Sequence, residues 1–170
     1  MLRFSAPPLI AVATGIVGSA WASGCIMAFS IAAPAVAKTS PDAASTAQVW
    51  RELYSRGANL MPKVVTAIAL CYAYTAYDVR SRGGHWAGFV AAACSALSIV
   101  PYTFTVMKGT NAALHQEAAA AAAAARGVSA DRGSRVYGLV DNWAGLNFAR
   151  GMLPLVATVL GIKSFLDNTL

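Results

Sequence analysis

A chain of 170 residues with 57% apolar and 12% charged positions has room for one domain, but too few charges to give a soluble domain its surface. Lipid is therefore the expected solvent of its outer face, in keeping with a mean hydropathy of +0.54. The net charge of +6 does not point to nucleic acid, because the basic residues sit mainly between apolar runs, where they anchor helices to head groups.

From Phe4 to Ala37 no residue is charged, which is ample for a first span, placed at about 9–37. Arg3, the apolar run and Ala33-Pro34-Ala35-Val36-Ala37 together imitate a secretory signal with an Ala-x-Ala cleavage site. The apolar core of a signal runs only about 7 to 15 residues, so a membrane span is the better reading. Gly15, Gly18, Ser19 and Ala22 offer a small-residue face for close helix contact, which permits a homo-oligomer without requiring one.

Ser40-Pro41-Asp42 reads as a helix start, with a capping hydroxyl and then a proline in the first turn. Trp50, Leu53 and Tyr54 share one side of the helix that follows, and Gly57 can stop it, so a short amphipathic helix on the membrane surface is expected. The second span covers about 58–77, with Lys63 able to reach back to the interface, and Asp78, Arg80 and Arg82 end it. A tight Gly83-Gly84 turn makes the third span, about 86–107, its antiparallel neighbour.

After Lys108 a helical extension of the third span is expected, because Ala118 to Ala125 are eight consecutive alanines, and Gly127 can end it. Gly127 to Arg135 reads as a polar loop, and a fourth span covers about 143–162, interrupted only by Arg150. The expected architecture is all-α: one integral membrane domain over 1–170, a four-transmembrane-helix bundle. Lys38, Arg51, Arg56, Lys63, Lys108, Arg126, Arg132 and Arg135 gather on the side of the two long loops, against Arg3, Arg80, Arg82 and Lys163 opposite. The positive-inside rule then turns the long loops to the cytoplasm.

Arg150 is the most informative residue. It follows Trp143 by seven positions, roughly 10 Å along a helix, which puts it inside the membrane. A guanidinium there costs about 2.5–3.5 kcal/mol even on the gentler insertion scale, so it should face the bundle interior and find a partner. The plainer alternative is that it snorkels or ties helices together through carbonyl oxygens. Trp143, Asn147, Arg150 and Pro154 share a helix face, and Pro154 frees the carbonyl of Arg150. Thr103, Met107, Asn111 and His115 recur every four residues on the third span and its extension, and their polar members should approach Trp143 and Asn147 at one mouth of the bundle. For Asn111 and His115 an ordinary interfacial role weighs equally.

Familiar cofactor signals are missing: no dinucleotide fingerprint, phosphate-binding loop, His-Glu-x-x-His or nucleophile elbow occurs. Cys25, Cys71 and Cys94 lie in apolar runs and form no Cys-x-x-Cys pair. His85 and His115 fall at opposite ends of the third span and cannot jointly hold a metal, although a single axial histidine for haem stays open.

Three groups of residues carry a resemblance. They are Trp50-x-x-x-Tyr54-x-x-Gly57 ahead of Pro62, then Pro101-Tyr102-Thr103 with Asn111-x-x-Leu114, and Trp143-x-x-x-Asn147-x-x-Arg150 with Pro154. In their order and their match to the four-span layout they resemble the anthrone oxygenase-like membrane family of aromatic polyketide pathways. The resemblance implies an endomembrane enzyme that oxidises an anthrone to an anthraquinone with O2 as cosubstrate and no evident cofactor. It implies Arg150 and Asn147 as oxyanion stabilisers, His115 as the base with Asn111 beside it, and Trp143, Tyr102, Thr103 and Met107 as the substrate-facing set. The competing expectation is a non-enzymatic tetraspan protein, an aromatic-metabolite transporter or structural partner, that uses the same charged face to bind. A vitamin K reductase-like enzyme is disfavoured by the missing Cys-x-x-Cys.

Overall fold

The computed structural model describes residues 4–123 and 130–170, and among these every regular element is helical. The helices are α1 (Ala6–Thr39), α2 (Ala43–Ser81), α3 (Ala87–Leu97), α4 (Ile99–Thr105), α5 (Lys108–Ala123) and α6 (Ala130–Thr169). Helices α1, α2, α3 and α6 form a ring in which each packs on the next and α6 closes on α1. Three stretches are long and apolar enough to cross a bilayer: Ala6–Ala37, Ala87–Thr105 and Ser134–Thr169. The fourth rod, α2, is diluted by Lys63 and by Tyr72, Tyr74 and Tyr77. Large apolar side chains such as Val17, Ile31, Leu70 and Val159 point outward, as a lipid-solvated surface requires. The protein is an all-α membrane protein.

Several boundaries differ from expectation. Gly57 does not stop a surface helix; α2 runs unbroken through it, and Thr46, Ala47 and Trp50 in its first half are buried against the bundle. A helical glycine costs only about 1 kcal/mol, less than burial of a tryptophan returns. The helix cap is Asp42 rather than Ser40: the Asp42 carboxylate accepts from the Ser45 N–H at 2.7 Å, which holds its carboxyl below the usual carboxylate range. Ser40 instead closes α1 by donating its hydroxyl to the Val36 carbonyl at 3.1 Å.

The Gly83-Gly84 turn is as expected. Gly83 has φ +74°, a region glycine enters freely, and the N–H groups of Gly83 and Gly84 cap the carbonyls of Arg80 and Val79. The third span, by contrast, breaks twice, at Ser98 and at Val106–Met107, giving α3, α4 and α5. Pro101 cannot donate to the carbonyl of Leu97, which accounts for the first break. The second lies ahead of Gly109, which is itself inside α5. Residues 130–135 of the expected polar loop belong to α6, while the end of the alanine tract and Gly127 lie outside the described residues. The described part of that tract does pack: Ala118 is buried with Ala43, Ala47 and Val136, where small side chains let α2, α5 and α6 approach closely.

The bundle's centre is tied by hydroxyls. Tyr72 donates to the Ala157 carbonyl at 3.2 Å and meets the Ser19 hydroxyl at 3.1 Å, which in turn meets Thr158 at 2.9 Å. Gly161 makes room for this, since a Cβ there would lie 2.5 Å from the Tyr72 hydroxyl.

Candidate active site: a buried arginine in an apolar cleft

The i, i+4, i+7 spacing on α6 points Trp143, Asn147 and Arg150 into a cleft shared with α1, α2 and α4. Its empty space is about 710 Å³ with the open mouth included, and most of its wall is apolar, with Ile26, Phe29, Met61 and Ile99 among the lining residues. Arg150 Nη1 donates to Thr103 Oγ1 at 3.1 Å, and Thr103 spends its own proton on the Ile99 carbonyl at 2.7 Å. Arg150 Nε is buried with no partner. Among the described residues the ion pairs are Arg82–Asp78, Arg135–Glu117 and Lys163–Asp167, so no carboxylate neutralises this cation.

Asn147 is fully buried and directional. Its Nδ2 donates to the Ile26 carbonyl and to Ser30 Oγ, both at 2.9 Å, while its Oδ1 has no partner. It therefore offers an acceptor and has no donor left for an oxyanion. The indole Nε1 of Trp143 is a second buried donor without a partner. Around Pro154, which interrupts the α6 hydrogen-bond ladder, two neighbours clamp the helix: Ser23 donates to the Gly151 carbonyl at 2.9 Å and Ser95 to the Leu153 carbonyl at 2.8 Å. These bonds hold Arg150 in register with the cleft.

Behind this wall lies an aromatic group. Trp50 stacks on Tyr54 with ring centroids 5.1 Å apart, and His115 sets its edge against both, at 5.0 Å from Trp50 and 5.1 Å from Tyr54. Trp143 meets Trp50 edge-on at 6.0 Å, and Asn111 Nδ2 donates to the Tyr54 hydroxyl at 3.4 Å.

Of the residues singled out in the sequence, Thr103, Trp143, Asn147 and Arg150 come together on the cleft. Asn111 and His115 stand one layer back, around Tyr54; Met107 is buried in the same aromatic cluster and Tyr102 packs against it. Tyr54 is the residue that sequence reasoning missed, because it lines the cleft and also touches the second group. Its signal was readable in the four-residue spacing from Trp50, but a helix stopped at Gly57 would have left both outside the bundle. Among the described residues no three His, Cys, Asp or Glu side chains gather as a metal site would require.

A helical membrane bundle whose interior cleft is lined by one unneutralised arginine, an asparagine and several aromatic side chains has the construction of a site for an apolar, oxygen-bearing ligand. Residues 50–160 match the family described as anthrone oxygenase. An anthrone oxygenase of Aspergillus fumigatus is 34% identical, over 95% of this chain and 97% of that protein. One from Paecilomyces divaricatus is 30% identical over 89% and 92%, and a monooxygenase of Dothistroma septosporum is 28% identical over 84% and 75%. No solved structure matches the chain. The chain belongs to the anthrone oxygenase family and is an oxygenase.

Proposed function

We propose that the protein oxidises a polyketide anthrone to an anthraquinone with O2, without a bound cofactor. The observation that carries this reading is the largely buried guanidinium of Arg150, paired with no carboxylate among the described residues, in the wall of an apolar cleft. Loss of a methylene proton turns an anthrone into an anthranolate, with negative charge on oxygen and an aromatic central ring. The Arg150 guanidinium and the Tyr54 hydroxyl are the donors to that oxygen in a water-poor site, where such donors act most strongly. Phe29 and Trp143 flank the planar rings.

The electron-rich anthranolate passes an electron to O2, and recombination forms a C–O bond and a peroxide anion, which takes a proton back from water to become the hydroperoxide. The Asn147 Oδ1 is the acceptor for a hydrogen bond from that hydroperoxide, whose proton stays on oxygen. Loss of the remaining C–H proton then breaks the O–O bond and expels hydroxide. In sum CH2 and O2 become C=O and H2O, with no outside reductant. His115 stands behind Tyr54, so we assign it to holding that side chain rather than to deprotonating carbon, and the methylene proton passes to water. The protein acts in an endomembrane, with the end of the bundle that bears the α1–α2 and α5–α6 connections toward the cytoplasm, a placement supported by the bias in basic residues.

The test is quinone formation from anthrone by detergent-purified, metal-stripped protein, followed against spontaneous oxidation at the same O2 concentration. A rate well above that background is expected. A rate equal to it, with the ligand bound, would be the behaviour of a carrier and would end this reading.

A further inference from the structure

The four helices that surround the cleft do not close on one another. Helix α1 packs firmly on α2 and on α6, and α4 packs on α6, but the backbone of α4 does not run close to that of α2. The helices on either side of α4 in the chain, α3 and α5, both pack on α2. Helix α4 therefore bows away from α2 between its breaks at Ser98 and Val106–Met107, leaving a window in the bundle wall.

The rim of that window is small and apolar. On α2 it is made by Gly57, Ala58 and Pro62, and on α4 by Val100 and Phe104. Phe104 is 71% exposed, and Leu60 and Val106 beside the window are 48% and 50% exposed. A Cβ built at Gly57 meets nothing within 4 Å, so the space in front of it is open. The exposed cations Arg56 and Lys63 flank the α2 side of the rim and can snorkel to head groups, which places the window at the head-group and acyl-chain boundary.

We infer that the substrate reaches Arg150 sideways from the bilayer, through the window between α2 and α4, with Gly57 and Phe104 as its gate. The occupant is a planar, apolar polycyclic aromatic molecule dissolved in the membrane. This rests on the oxygenase reading for the identity of the substrate, while the route itself rests on the helix arrangement alone. A rim of Gly, Ala, Pro, Val and Phe has no polar group to recognise a water-solvated ligand, and it lets a flat molecule slide past with little desolvation. Such a route also spares a poorly soluble substrate and product from crossing water.

Two experiments in lipid vesicles test this, and each has its own readout. Gly57→Leu fills the open space without disturbing the helix, since leucine is the better helix former, and Gly24→Leu is the control because Gly24 also has open space before it but lies away from the cleft. For anthrone oxidation, kcat/KM should fall at least about tenfold in Gly57→Leu and stay parental in Gly24→Leu. The second arm needs no catalysis. Gly57→Cys, in a chain carrying Cys25→Ala, Cys71→Ala and Cys94→Ala, should react at least about tenfold faster with a lipid-soluble N-alkylmaleimide than with a charged, impermeant one, because the alkyl chain partitions into the bilayer. Added anthraquinone should slow that reaction. Faster labelling by the charged reagent, or no protection by anthraquinone, overturns the lateral route, as does parental kcat/KM in Gly57→Leu. If the parent chain fails to oxidise anthrone, the oxygenase reading falls while the labelling still decides the route.

Discussion

Replacing Arg150 by methionine should abolish turnover and leave the bundle standing. Methionine keeps much of the stem and discards the charge. A guanidinium within a bilayer costs about 2.5–3.5 kcal/mol on the insertion scale, a cost the variant no longer bears. Against that gain stands the loss of one charged hydrogen bond, the 3.1 Å contact to Thr103, worth about 1.5–3 kcal/mol. Thr103 keeps its bond to the Ile99 carbonyl at 2.7 Å, so no hydroxyl proton is orphaned. The two effects nearly cancel, and stability should stay within about 1–2 kcal/mol of the parent. Activity has no such offset. Loss of a preorganised donor to a developing oxyanion costs about 10²–10³ in kcat, or about 2.7–4 kcal/mol of barrier. The assay is steady-state quinone formation, with thermal unfolding followed on the same preparations. A parental kcat would refute the role of Arg150, and so would a loss of activity that merely tracks loss of fold.

Tyr54→Phe removes a cleft hydroxyl and leaves Asn111 Nδ2 without its 3.4 Å acceptor; kcat should fall by about tenfold or more with KM little changed, whereas a raised KM with parental kcat would assign Tyr54 to binding alone. Gly161→Ala should destabilise by about 1–3 kcal/mol, because the new Cβ lies 2.5 Å from the Tyr72 hydroxyl, and adding Tyr72→Phe should recover part of that loss in a thermal-unfolding cycle. The carboxyl of Asp42 is held below its usual range by the Ser45 N–H, so its capping contribution is complete above the unfolded carboxylate pKa and is lost as pH falls through the lower folded value. Unfolding followed from about pH 6 to about pH 3 should therefore show a decline that is shallower in Asp42→Asn, whose cap does not titrate; identical profiles would remove Asp42 from the account.

Where the sequence was most legible, single-residue physics decided the outcome. An arginine midway along an apolar run must turn inward, and the i, i+4, i+7 spacing puts Trp143 and Asn147 on its helix face. The Gly83-Gly84 turn was legible for the same kind of reason, since few other residues reach φ +74°. What stayed hidden depended on distant partners. Gly57 reads as a stop until Trp50 is known to be buried among α1, α5 and α6 residues, and that burial is what keeps α2 in one piece. The regular stripe from Thr103 to His115 assumed an unbroken helix, yet the break at Val106–Met107 divides it into two halves on α4 and α5. Thr103 therefore meets Arg150 while Asn111 and His115 meet Tyr54. Asn147 could be placed from spacing, but which of its amide atoms is free depends on Ile26 and Ser30, more than a hundred residues earlier.

The decisive measurement is the absorption spectrum of anthrone bound to the protein with O2 removed. A buried, unneutralised guanidinium beside the ligand oxygen should pull the bound molecule into its ionised anthranolate form at neutral pH, and Arg150→Met should bind it in the neutral keto form. Bound anthrone that stays neutral in the parent, or ionises equally in Arg150→Met, would contradict the role given to this cation.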